Sequence, residues 1–203
     1  SWSTLSTTPF VYPSETPYTA TVDYANNLIV GSIQAGTTNG AVRKWDQNIW
    51  SVIATANTGG SIYSITKTRD ANILIGGIYT KLGSVFSNNV SLYNGSNIVP
   101  LDGGVGGTIP HVYAINQSEK GEIIVGGDFT TAGSLSLSQK LAMWNGYTFS
   151  NIDIQLPGSP NCYTAVYNKN DLYIGFDTTG TAQTAAINTV VPTATESLFP
   201  KLM

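Results

Sequence analysis

Proton transfer, ion binding and nucleophilic attack all need particular side chains, and this chain is poor in them. Its 203 residues include 12 acidic groups, nine basic ones, one histidine, His111, and one cysteine, Cys162. A cysteine nucleophile needs a base beside it, and His111 is the only histidine that could serve. One Cys and one His do not make a structural zinc site, which takes four N or S ligands, and a single Cys excludes a disulfide within the chain. Cys162 therefore reads as a small buried apolar residue. Glycoside hydrolysis would need two carboxylates about 5–10 Å apart across a cleft. Asp70, Glu119 and Asp171 occupy corresponding turns of a repeat, where acids are ordinary solvated turn residues; Asp128 adjoins a glycine pair and has no matched acid partner in the sequence. No loop spaces its acids as calcium ligands require. The expectation is no catalytic residue, no metal and no cofactor, with glycoside hydrolase kept as a minor alternative.

What remains is aromatic chemistry. Trp45, Tyr93 and Trp144 stand at corresponding positions of the repeat, each followed five residues later by a second large apolar residue, Trp50, Ile98 and Phe149. In a carbohydrate-binding protein such rings would stack on sugars, and these three are the candidate ligand-binding residues. The competing expectation is that they pack as interior, since large rings bury much apolar area.

The elements that would position them follow from a repeat. Tyr18, Tyr63, Tyr113 and Tyr163 are separated by 45, 50 and 50 residues, and Gly31, Gly76, Gly126 and Gly175 by 45, 50 and 49. Within the units the tyrosine-to-glycine distance is 13, 13, 13 and 12. Each unit reads as four short strands. In the third, Tyr113–Asn116 alternates. After the polar turn Ser118–Gly121 comes the continuous apolar run Ile123–Val125, the pattern of a strand covered on both faces. A longer loop leads to Lys140–Trp144. Asn145-Gly146, like Asn94-Gly95 before it, signals a two-residue hairpin, with Asp46-Gln47-Asn48 a looser equivalent, and Thr148–Ile152 completes the unit.

Four antiparallel strands recurring every 45–50 residues predict an all-β fold and a β-propeller of four blades, a single domain spanning 1–203. The blades fall at about 17–53, 61–101, 111–154 and 161–203. Residues 1–5, where Trp2-Ser3-Thr4-Leu5 echoes Trp50-Ser51-Val52-Ile53, form an orphan outer strand. That strand would pair with the last blade and close the ring; otherwise the chain is part of a larger propeller. A β-sandwich is the other alternative. The paired glycines Gly76-Gly77 and Gly126-Gly127 are expected to let backbones approach where blades converge. Asp102–Gly107 could resemble a phosphate loop, but no helix follows to supply the N-terminus such a loop needs, and it reads as a flexible connector.

The run Ile-Ile-Val-Gly-Gly-Asp-Phe-Thr-Thr-Ala-Gly at 123–133, followed by Leu-Ala-Met-Trp-Asn-Gly at 141–146 and Phe149, resembles kelch-like surface propeller repeats of bacterial secreted proteins, viral surface proteins and a fungal cortical marker protein. Residues 73–98 match well, 28–50 in part, and 172 onward poorly. The resemblance implies a propeller with a binding or structural role and transfers no catalytic residue. Trp45-Asp46 does not mark a WD repeat, because that family pairs its dipeptide with a histidine in each blade and only one histidine exists here.

Composition narrows the partners. A net charge of −3 with no basic run argues against nucleic acid, and no apolar stretch is long enough for a membrane-spanning helix. The Ser-, Thr- and Asn-rich, lysine-poor surface points to an extracellular or virion setting, with sequons at Asn89, Asn94 and Asn116. The expected function is a non-enzymatic structural or attachment module on a virion or cell surface, such as a capsid decoration, fibre component or adhesion domain. Its partners would be other chains of a surface assembly or a host-surface glycan, and a carbohydrate-binding lectin is the alternative.

Overall fold

The computed structural model describes residues 15–187 except 37, 138, 153, 155, 157, 169, 170, 179 and 180. The orphan strand predicted at residues 1–5 and the part of the last predicted blade beyond residue 187 lie outside the described residues. Every regular element is a β-strand, and each unit of the repeat forms its own antiparallel sheet. In the first sheet β1 (Glu15–Val22), β2 (Leu28–Gln34), β3 (Ala41–Trp45) and β4 (Trp50–Thr55) pair in chain order. The second starts with β5 (Ser61–Lys67) and β6 (Ile73–Ile78). Then a small hairpin of β7 (Lys81–Leu82) and β8 (Val85–Phe86) intervenes before β9 (Val90–Tyr93) and β10 (Ile98–Pro100).

Past β11 (Val105–Gly106), the third sheet repeats this plan with β12 (His111–Gln117) and β13 (Ile123–Asp128). The hairpin is now β14 (Thr131–Ala132) and β15 (Leu135–Ser136), followed by β16 (Leu141–Trp144) and β17 (Phe149–Asn151). The fourth sheet has β18 (Cys162–Asn168), β19 (Asp171–Thr178) and β20 (Thr181–Ile187). The long loops of the second and third units thus carry ribbons of their own.

Period-2 alternation explains how the sheets stack. In each second strand the odd and even apolar residues point to opposite faces. Ile73 and Ile75 point back to the first sheet and join Ile29, Val42 and Ala54 in one core cluster. Leu74 between them points forward and joins Val112, Ile115, Ile123 and Val125 of the third sheet. Ile124 in turn points forward to Cys162, Ala165, Leu172 and Ile174 of the fourth. Three cores therefore cement four sheets in chain order, with the first strands β1, β5, β12 and β18 packed one against the next. The outermost pair, β1 and β18, does not pack together in this way.

The repeated glycine sits at each joint. A Cβ on Gly31 would come within 2.6 Å of Ile62 Cγ2 in the next sheet; one on Gly76 would press on Val112 and Ile115, and one on Gly126 would meet Cys162 Sγ at 2.5 Å. Backbone and neighbouring side chain are in direct contact there, and only glycine leaves the space. Gly175 has the same place in its own sheet, but among the described residues its Cβ would meet only Thr164 of that sheet.

Two expectations change in detail. The turns after Trp45, Tyr93 and Trp144 are four-residue loops, because Trp45 pairs with Trp50, Tyr93 with Ile98 and Trp144 with Phe149. All three share one design. Asp46, Asn94 and Asn145 each accept two backbone N–H bonds through Oδ1, and Gln47, Gly95 and Gly146 each take the left-handed region. Asp46-Gln47-Asn48 is thus a full member of the set. The glycine-rich stretch at 102–107 is not a loose connector: β11 pairs with β14, and Gly104 N–H donates to the carbonyl of Leu101.

Candidate functional site

Four tyrosines, one from the first strand of each sheet, form a continuous row. Ring centroids are 5.6 Å apart for Tyr18–Tyr63, 5.4 Å for Tyr63–Tyr113 and 5.1 Å for Tyr113–Tyr163. Local backbone geometry puts them there. In every first strand the register slips at the tyrosine: between Pro17 and Thr19, Ile62 and Ser64, Val112 and Ala114, and Cys162 and Thr164. Each tyrosine is the extra residue of a β-bulge, and a bulge re-aims its side chain out of the alternating pattern. The partner strand opposite each bulge holds the repeated glycine, so bulge and glycine form one unit. In the two middle sheets a second glycine follows, where a Cβ would strike the carbonyl of Ser61 or His111.

His111 extends the row. Its ring lies 5.3 Å from Tyr113, nearly parallel at 15°, and 5.8 Å from Tyr63. Its Nδ1 is 2.8 Å from the carbonyl oxygen of Ile109, a contact in which Nδ1 carries the proton. The end members are the most open, Tyr18 at 59% and Tyr163 at 49% exposure. Burial, together with the neighbouring tyrosines and Asp128, pushes the Tyr113 phenol up to about 12, so this ring stays a neutral phenol at neutral pH.

Polar groups border the fourth-sheet end. Lys140 Nζ donates to Asp128 Oδ1 at 2.7 Å and to Asn161 Oδ1 at 2.5 Å, tying the third unit to the fourth. The Tyr163 hydroxyl donates to Asp177 Oδ2 at 3.4 Å. Asp177 follows Gly175 by two residues, as Asp128 follows Gly126, so Asp128 does have a repeat-equivalent acid. The loss of the second glycine from the last unit hid the match. The row can offer aromatic faces, phenol donors and two flanking carboxylates to a ligand. The groups it carries are those of recognition.

The three aromatic residues singled out in the sequence are not gathered with one another. Tyr93 packs on the core between the first and second sheets, and its hydroxyl donates to the carbonyl of Gly95. Trp144 packs on the core between the second and third. Trp45 meets Trp50 with the rings tilted at 43° and their centroids 5.5 Å apart. All three are half-buried; Tyr93 and Trp144 belong to different joints, and Trp45 belongs to neither of those cores. The signal for the tyrosine row was nevertheless in the sequence: its members are the repeat landmarks themselves. Strand alternation alone could not reveal that a bulge frees them from the sheet faces.

Cys162 is fully buried over Gly126, with its thiol pushed up to about 12 by burial. Asp70 and Glu119 are exposed in turns between first and second strands. Asn89 is buried; its side chain accepts from Tyr79 N–H and donates to the carbonyl of Val105, so this sequon is part of the interior. Among the described residues no group of three or more His, Cys, Asp or Glu is placed to hold a metal ion, and no helix is long and apolar enough to cross a membrane. No protein-family model matches the chain, and no curated protein matches it in sequence.

Proposed function

We propose that the chain is a non-enzymatic attachment module of β-propeller type. It would work on a virion or cell surface, with the tyrosine row as its contact surface. The supporting observation is that row: four repeat-equivalent rings, presented by four bulges on rigidly stacked sheets, with its two ends open to solvent. Aromatic side chains with few rotatable bonds give contact area at low entropic cost, and a site built on strands holds its geometry better than one built on loops. The four-stranded meanders joined face to face match the blade plan. Partners of this surface are another chain of the assembly or a neutral glycan, since clustered basic residues are absent from the sequence.

Binding of the immobilised protein to a glycan array and to purified surface components of candidate hosts tests this. Tyr18→Ser and Tyr163→Ser, which change the open ends, should weaken capture while leaving the melting temperature unchanged. A captured partner that binds both variants as well as the parent would remove the row from the function. If Trp45→Ala, at the far end of the strands, lost binding instead, the lectin reading built on Trp45, Tyr93 and Trp144 would replace it.

A further inference from the structure

Asn89, Asn94 and Asn116 each open an Asn-x-Ser sequon, and the fold treats the three differently. An N-linked sugar needs the asparagine Nδ2 and the sequon serine at the surface. Asn89 is 3% exposed and uses both ends of its amide in the interior, Oδ1 accepting from Tyr79 N–H and Nδ2 donating to the carbonyl of Val105. Its serine, Ser91, is fully buried and bonded to the hydroxyls of Tyr79 and Ser87. Asn116 is half-buried, and its Oδ1 accepts from Tyr167 N–H, tying the third sheet to the fourth. Its serine, Ser118, is 4% exposed and closes the next turn, accepting from the N–H groups of Lys120 and Glu122. A sugar at either place would have to enter packed interior.

Asn94 is the opposite case. With Gly95 and Ser96 it stands exposed in the hairpin turn between β9 and β10. Of its side chain only Oδ1 holds the turn, accepting from the N–H groups of Ser96 and Asn97. Its Nδ2 makes no hydrogen bond among the described residues. The equivalent turn of the first sheet shows that this second atom is not needed for the cap: Asp46 has a carboxylate oxygen there and makes the same two bonds through Oδ1.

We infer that Asn94 is a modification site, the single acceptor for an N-linked sugar in the folded chain. The co-substrate is an activated sugar that carries a diphosphate ester at C1, linked to a nucleoside or to a lipid. Nδ2 attacks C1, the C1–O bond breaks, the diphosphate ester leaves, and Nδ2 gives up one of its two protons. Oδ1 stays in the turn throughout, so the modified hairpin keeps its cap. Strand pairing puts Tyr93 opposite Ile73, while the bulge at Tyr63 faces Gly76 and Gly77 at the other end of the same strand. A sugar on Asn94 therefore leaves the tyrosine row clear. This inference stands on the three sequons alone and holds whether or not the row binds a ligand.

Purified folded protein tests it in two arms, each followed by peptide mapping in a mass spectrometer. One arm supplies UDP-glucose and a soluble asparagine glucosyltransferase, the other a lipid-linked oligosaccharide and an oligosaccharyltransferase. Transfer to Asn94, and to neither Asn89 nor Asn116, is expected in at least one arm, and the arm that works identifies the donor. Ser96→Ala keeps Asn94 and its cap while removing the sequon; it should abolish transfer and leave the melting temperature unchanged. The modified parent should also melt as the unmodified protein does. Short peptides spanning each of the three sequons should all be accepted, which makes the fold the agent that sorts them. No transfer to Asn94 in either arm overturns the inference. So does a sugar on Asn89 or Asn116 of the folded protein, a lowered melting temperature after modification, or refusal of the Asn89 and Asn116 peptides.

Discussion

Gly76→Ala is expected to destabilise the fold, while the same change at the corresponding Gly175 is not. A Cβ on Gly76 would lie 2.7 Å from Ile115 Cδ1 and 3.1 Å from Val112 Cβ, closer still to Val112 Cγ1. Ile115 can turn its terminal methyl away. Val112 is fully buried and β-branched, with little rotamer freedom, so the two sheets must part by a few tenths of an ångström. Overpacking of this kind costs about 1–3 kcal/mol. Removing a glycine from the unfolded chain returns about 0.5–1 kcal/mol, which leaves a net loss centred on about 1.3 kcal/mol and at most about 2.5 kcal/mol. On Gly175 the new methyl meets, among the described residues, only Thr164, with Cγ2 at 2.5 Å, within its own sheet. Thr164 is exposed and can rotate, so the entropic gain remains and the change is neutral or slightly stabilising. Urea unfolding of dilute protein separates the two. With an m-value of about 2 kcal/mol/M the midpoint should fall by about 0.5–1 M for Gly76→Ala and hold or rise for Gly175→Ala. Equal losses at both sites, or none at Gly76, would refute the claim that this glycine exists to admit the next sheet.

Two further outcomes follow from single contacts. Arg43 donates to the buried carboxylate of Glu15 through Nε and Nη2, and Ser32 donates its hydroxyl to the same group. Arg43→Ala would strand a buried charge and should cost about 3 kcal/mol, measured by thermal or urea unfolding. Burial pushes both Tyr113 and Tyr167 from the ordinary 10.0 up to about 12. A phenol held neutral in the folded state contributes stability that is complete below pH 10 and is lost as pH rises towards 12. Ultraviolet titration should show some phenolate forming only in that range in the folded protein, with all tyrosines titrating near 10 in urea and the urea midpoint falling across the same window.

The sequence alone determined the all-β class, the length of the repeat and the main strands of its units, though not the short strands β7, β8, β11, β14 and β15, because apolar alternation and recurring turn residues are local signals. It also marked the pairs Gly76-Gly77 and Gly126-Gly127 as places of close approach. Three things needed the tertiary structure. That each Tyr is a bulge residue depends on register between two strands, and register is set by pairing across the sheet rather than by the strand itself. That Tyr93 and Trp144 pack on separate joints, while Trp45 pairs with Trp50 apart from both, depends on which face of each sheet meets its neighbour. That Gly175 meets no further sheet among the described residues, while its three counterparts are filled, is invisible in the sequence, since all four stand at the same place in their units; only the stacking of sheets decides what fills the space above a missing side chain.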